Sequence, residues 1–283
     1  MIDVFSYVNA NGRSLELSVS NGYKVETVTG ANGIPVSVST AQGVGQVGET
    51  IQSEVPSKVP MTISGMILGT PSEVNDRANA LMEIILPAVR GKLYHNGTYY
   101  RNVTPTTTPT IEHILRWPHF QFSLIAAYPY WLKDQSTKTF LTGVVPKFKF
   151  PWNISKPYRF GEFIETAFIN IQNSGQIPCT FTATFTGKGT CVNPRIINAV
   201  TGQYMKLNRT IVTGEIVTVE ITHDLTYVTS SIDGDIRGDL DITNTLWRMA
   251  AGDNLIKTEA DSGAANVTVS IDSTIEKVGI RLC

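Results

Sequence analysis

Asp233, Asp235, Asp239 and Asp241 crowd into the run DGDIRGDLD, the densest cluster of carboxylates in the chain. Carboxylates at alternate positions can chelate a hard cation, and an EF-hand loop wants oxygen ligands at its first, third, fifth and twelfth positions with glycine sixth. With Asp233 placed first, Asp235 and Gly238 fit, but Arg237 falls fifth and Asn244 twelfth, so the required charge is missing. The run reads as an acidic surface loop and no metal is expected. The embedded Arg237-Gly238-Asp239 tripeptide is too short to carry an adhesion argument. Gly43, Gly45 and Gly48 make a GxGxxG string, whose dinucleotide chemistry needs a helix directly behind it. The residues behind it, Glu49 to Val55, read as extended and stop at Pro56, so a glycine loop without a cofactor is expected.

His95, His113, His119 and His223 are scattered, with no helical pair and no cysteine pair beside them, so no zinc tetrahedron forms in the sequence. Cys179 and Cys191 flank the Gly187-Lys188-Gly189 turn, and a hairpin centred there would set Cys191 opposite Phe185. No bridge between them is expected, and with Cys283 the three thiols read as reduced. A G-x-S-x-G elbow is absent. Glu162 and Glu165 have the residue types of a glycosidase pair, but separation in space defines that pair. No catalytic residue is assigned. Trp117, Tyr128, Tyr130, Trp131, Trp152, Tyr158 and Trp247 would stack on sugar faces if exposed; burial in cores and interfaces is the expected use.

The chain that must position these groups has 283 residues, a length suited to two domains. Lys plus Arg number 23 against 24 Asp plus Glu, and charged residues are 17 %, below the roughly 25 % of ordinary soluble domains. This near-neutral balance argues against a DNA-neutralising surface and for a surface engaged by other protein. No apolar run approaches the ~18 residues of a membrane span, and the start reads as lacking a secretory signal. The sequons at Asn96, Asn102, Asn153, Asn208 and Asn266 are discounted in a chain this rich in Asn, Ser and Thr.

Period-two alternation dominates and predicts half-buried antiparallel strands. Leu15, Leu17 and Val19 show it, as do Ile34, Val36 and Val38; Val59, Met61 and Ile63; and Phe120, Phe122 and Leu124. Asn96-Gly97 predicts a type I′ hairpin with Tyr94 opposite Tyr99. One helix is expected over 71–89, capped by Thr70 and Glu73, with Val74, Ala78, Leu81, Met82, Ile85 and Leu86 as its apolar stripe. Pro146, Pro151 and Pro157 mark a connector over 135–160, where trypsin is expected to cut near Lys138, Lys147, Lys149 or Lys156. Beyond it Cys179, Phe181, Ala183 and Phe185 alternate with threonines, Val217, Val219 and Ile221 follow, then Val267, Val269 and Ile271. The predicted fold is mainly β: a first sandwich over 1–134 with one packed helix and a hairpin, then a second sandwich over 161–283.

At FQFSLIAAYPYWLKD the chain resembles siphophage distal tail proteins. Pro129, Tyr130 and Trp131 stand about forty residues after a helix closing in Leu86-Pro87 and Gly91, and Ile63-Ser64-Gly65 and Gly91-Lys92-Leu93-Tyr94 fit the same pattern. Downstream, FKFPW, the stretch INIQNSGQIPCTFTATFTGKGTCVNPRIINAVTG, Trp247 and Gly252-Asp253-Asn254 continue it in order. Tyr128 departs from the pattern, where an acidic residue usually precedes Pro-Tyr-Trp. The resemblance implies a structural virion protein without enzymatic activity, a hexameric hub in single or stacked rings. Its 1–134 domain would build a ring through which DNA passes without specific binding. Its 161–283 domain, a galectin-like or jelly-roll sandwich whose last strand returns to the first domain, would hold receptor-binding or baseplate proteins. The implied neighbours are the tail tube protein and a tail-associated lysin or tail fibre protein, at the virion tail tip after assembly in the bacterial cytoplasm. Membrane insertion is not implied. The alternative is a carbohydrate-binding protein gripping a host wall glycan with its second sandwich.

Overall fold

The computed structural model describes residues 3–112, 117–141, 143–146, 161–164, 168–223 and 225–282. His113, Trp152, Tyr158, Glu165, Cys283, Lys147, Lys149 and Lys156 lie outside the described residues. The chain divides into two compact units, Met1–Asp134 with Glu276–Cys283, and Gln135–Ile275. The mainly β expectation is borne out in both.

In the first unit the strands Ser14–Leu17, Phe5–Asn9, Gly91–His95, Tyr99–Pro105, His119–Ala126, Val59–Ile67 and Tyr23–Thr29 follow one another in a single antiparallel order. Where two separate layers are expected, Tyr99–Pro105 joins them. It pairs with Gly91–His95 along its length and passes Thr104 and Pro105 to His119–Ala126. Both halves feed one core, with Phe5, Tyr7 and Leu93 from one and Met61, Ile63, Phe120 and Phe122 from the other. Alternation selects those residues, since a shift by one position would turn each set to solvent. The Asn96-Gly97 turn forms with positive φ at both residues, 50° and 61°. Its register differs by one from the simple two-residue turn: Thr98 stays unpaired, so His95 faces Tyr99, and Tyr94 faces Tyr100 with ring centroids 5.6 Å apart.

The helix runs Pro71–Ile84, shorter than the expected 71–89. Its start is fixed as the sequence predicts, with Glu73 Oε2 accepting from the Thr70 N–H at 2.8 Å and from the Thr70 hydroxyl at 2.9 Å. Its end comes early because Pro87 disfavours helical backbone at Leu86, and Ile85 already has ψ 82°. The buried Asn9 side chain then donates to Ile84 O at 3.1 Å, satisfying a carbonyl that a longer helix would have used. Val74, Ala78, Leu81 and Ile85 are buried, whereas Met82 is 44 % exposed and Leu86 half-buried. One helical turn covers a narrow strip of sheet, and Met82 sits about 100° round from Leu81, outside it. Leu81→Ala should cost about 2–5 kcal/mol through lost burial and a cavity. Chemical denaturation measures this, and a loss below about 0.5 kcal/mol would put the stripe in solvent.

The second unit packs two main sheets about one core. One holds, in order, Thr137–Phe140, Val267–Ser273, Phe181–Gly187, Ile216–Ile221, Thr226–Ser230 and Gly234–Asp235; the other holds Ile169–Asn173, Gly252–Glu259, Arg195–Asn198 and Tyr204–Lys206. Phe181, Ala183, Phe185, Val217, Val219, Val269 and Ile271 meet Ile171, Ile196, Met205 and Ile256 between them. The expected connector therefore starts differently. Thr137–Phe140, including Lys138, is a strand paired to Ser270–Ser273, its alternate threonines suiting a sheet edge. Cys191 faces Ile211 rather than Phe185, because the chain leaves the sheet after Gly187, and Cys179 bridges to Met249. Both thiols are buried, and burial pushes Cys191 up to about 11.

Candidate interaction surface

Strands Val36–Ala41 and Thr50–Pro56 form a hairpin bonded, among the described residues, only to one another. The hairpin grows from the paired strands Tyr23–Thr29 and Val59–Ile67, and Gly43, Gly45 and Gly48 turn its tip. Val36 faces Pro56, Val38 faces Glu54 and Thr40 faces Ile51, so these six share one face of the ribbon. Ser37, Ser39 and Ser53 fall on the other face, with Val55. Val36, Val38 and Ile51 are each half or more exposed, and Val44 and Val47 at the tip are fully so. The alternation at 36–38 thus gives a strand as expected, but not burial within the chain. A two-stranded ribbon is marginal alone in water, and exposed apolar patches are the kind of surface that proteins use for contacts.

The root of this arm is built in the opposite way. Ala31 is fully buried, and its carbonyl accepts from Trp131 Nε1 at 3.0 Å and from the Ile280 N–H at 3.2 Å. One residue earlier, Gly30 O accepts from Arg101 Nη1 at 2.8 Å. Arg101 is itself fully buried, lies 4.5 Å from the Trp131 ring centroid and is 3.6 Å from Met61 Sδ. Burial pulls its pKa down to about 10. Its Nε and Nη2 have no hydrogen-bond partner among the described residues. Sequence reasoning missed Arg101, although alternation in Tyr99–Pro105 places it inward with Val103.

The residues that carried the family resemblance fall into two groups. Leu86 is half-buried, Pro87 exposed, and Gly91 opens a strand beside the Tyr7 ring. A Cβ on Gly91 would lie 2.6 Å from that ring, which excludes any side chain there, while the Tyr7 hydroxyl reaches Val89 O at 3.3 Å. Pro129 is buried, Tyr130 lies 5.3 Å from the Tyr128 ring, and Trp131 anchors the arm. Tyr128, standing where an acid is usual, donates from its hydroxyl to the buried Glu276 carboxylate at 2.7 Å. The carboxylate is thus supplied by the strand Glu276–Lys277, which pairs with Trp131 and Leu132. In the second unit Asn254 donates to the carbonyls of Ile171, Ala250 and Gly252, and Asn173 to those of Ile177 and Met249, closing two buried loops.

The remaining candidates are committed elsewhere. Arg209 binds Asp239 at 2.9 Å, Glu215 at 2.7 Å and also Asp233, while Arg237 binds Asp235 at 2.8 Å. Asp241 accepts from the Thr243 N–H and hydroxyl. His95 meets Asp3 at 2.9 Å, His119 approaches Glu26 at 3.7 Å, and the His223 carbonyl accepts from Arg248, so the three stand apart. Glu162 falls in the strand Gly161–Ile164. Trp117 is half-buried. Trp247 is 4 % exposed against Phe181, 4.8 Å between centroids, so it offers no stacking platform.

Residues 174–273 match the family described as siphovirus-type tail component, C-terminal domain. Across both units the solved structure of the phage SPP1 distal tail protein Dit, described as a paradigm of the hub adsorption apparatus in phages infecting Gram-positive hosts, shares the fold. It aligns over 96 % of this chain and 98 % of its own at 12 % identity, with a TM-score of 0.69. A chain of the phage P2 baseplate, in its activated conformation with Ca, aligns over 99 % of this chain and 100 % of its own at 10 % identity, TM-score 0.49. No curated protein sequence matches. The resemblance to siphophage distal tail proteins is borne out by the family match in the second unit and by the shared fold.

Proposed function

We propose that this chain is the structural hub of a siphophage tail tip, six copies closing into a ring between the tail tube and the adhesion apparatus. The first unit builds the ring around a channel for DNA; the second, a galectin-like sandwich, anchors receptor-binding or baseplate proteins. A tail-associated lysin or tail fibre protein follows on the distal side, and the particle's home is the virion tail after assembly in the host cytoplasm. The observation that carries this reading is the arm at 36–56, a ribbon that exposes Val36, Val38 and Ile51 and pairs, among the described residues, only with itself. A head-to-tail contact repeated by rotation closes a ring, and an arm reaching the next copy supplies such a contact. The reading assigns no enzymatic role.

The carbohydrate-binding alternative requires exposed rings on one face, whereas Trp131 and Trp247 are buried. Calorimetric titration of the full chain with host wall polysaccharide separates the two. The scaffold reading expects no saturable heat and capture of a tail-tip protein. Saturable binding tighter than about 100 μM, lost on replacing one exposed aromatic such as Phe168 or Tyr227 by alanine, would favour the lectin.

A further inference from the structure

We propose that Arg101 and Trp131 are positioning residues for ring assembly, clamping the root of the arm so that its apolar ribbon is offered to the next copy in one fixed direction. The proposal rests on the ring reading above and adds the device that makes the arm stiff where it leaves the sheet. Three donors from three separate segments converge on two successive carbonyls: Arg101 Nη1 on Gly30, and Trp131 Nε1 and the Ile280 amide on Ala31. At Gly30, φ is +76° and a Cβ would lie 2.3 Å from Pro60 O, so the chain turns there against the backbone it must leave. Outward of this point the Val36–Ala41 and Thr50–Pro56 strands are bonded, among the described residues, only to one another.

Arg101 is the residue whose presence most needs a reason. A guanidinium taken fully out of water, with Nε and Nη2 lacking a partner among the described residues, is a poor choice for stability, and an apolar side chain of similar volume would serve a core better. What an apolar residue cannot do is hold Gly30 O. Arg101 also stacks on the Trp131 ring, so the two donors brace each other as well as the arm. An arm free to pivot would lose orientational entropy on docking, and pre-fixing it lowers that cost.

The test uses the full chain as Arg101→Met, Arg101→Lys and Trp131→Phe, reading amide exchange at 30–34 and Ile280, melting temperature, and the concentration of half-assembly by light scattering. Arg101→Met and Trp131→Phe should each speed exchange at the root by about tenfold, the effect of one lost hydrogen bond. The half-assembly concentration should rise by at least about tenfold, beyond what any change in melting temperature accounts for, and Arg101→Lys, which keeps one donor for Gly30, should recover much of the lost protection and assembly. Unchanged root exchange in both variants overturns the clamp. Faster exchange with unchanged assembly, or assembly loss that merely tracks a lowered melting temperature in all three, overturns the positioning role. If the wild-type chain never assembles, the ring reading itself fails and the positioning role with it, whereas root exchange still reports whether the hydrogen bonds hold the arm.

Discussion

A chain carrying Val38→Asp together with Ile51→Asp is expected to fold normally and to lose the ring. Both side chains lie on the apolar face of the arm and both are more than half exposed, so in the monomer each change is a surface substitution. Such changes usually stay within about 0.5 kcal/mol of wild-type stability, and the carboxylate set opposite Glu54 adds a cost of about 0.2–1 kcal/mol. In a protomer contact the same carboxylates would be driven out of water without partners, at several kcal/mol per ion. A penalty of about 3 kcal/mol at each contact weakens association more than a hundredfold, and a closed ring suffers it at every contact. Sedimentation velocity reads this directly. Rings of wild-type stability in the double variant would show that the arm is not the contact.

The second large effect lies in the second unit, where Glu215 is 1 % exposed. Its carboxylate accepts from the Arg209 Nε at 2.8 Å, the Ser230 hydroxyl at 2.7 Å and the Val212 N–H at 3.1 Å. Burial by itself would raise its pKa, but these bonds together outweigh burial and hold it below the ordinary value of 4.5. A carboxyl depressed in the folded state adds stability above that ordinary value and loses it as pH falls through the folded one. The second unit should therefore hold its melting temperature down to about pH 4.5 and lose it progressively below. Glu215→Ala, which strands Arg209 and Ser230, should cost about 3–5 kcal/mol at neutral pH. In Glu215→Gln the acid slope should flatten, because no proton is taken up there. An undiminished slope would assign acid sensitivity to other groups. Glu259, Asp235 and Asp261 also titrate low, but they lie nearer water, where such pairs contribute little.

What could be read before folding was read from period and punctuation. Alternation named Met61, Ile63, Phe120 and Phe181 as inward, and Thr70 with Glu73 fixed the start of the helix, because both signals act within a few residues. The end of the helix was harder, since Pro87 acts backwards and Asn9, far off in sequence, takes the last carbonyl. Thr98 moved the hairpin register by one, a choice no Asn-Gly pair records. Alternation at 34–38 announced a strand but could not say that Val36 and Val38 would stay exposed on it. Aspartates that read as a solvated loop turned out to face Arg209, which is 24 residues from Asp233. The signature residues became physical only in three dimensions, Gly91 through the ring of Tyr7 and Trp131 through the carbonyl of Ala31.

The hub reading stands or falls on one mass. Light scattering of the full wild-type chain, followed over a broad concentration range, should show a closed species near 186 kDa, six times the 31.0 kDa chain, or a stack of two such rings. A single species at the mass of one chain throughout that range, with or without the tail tube protein present, would contradict it.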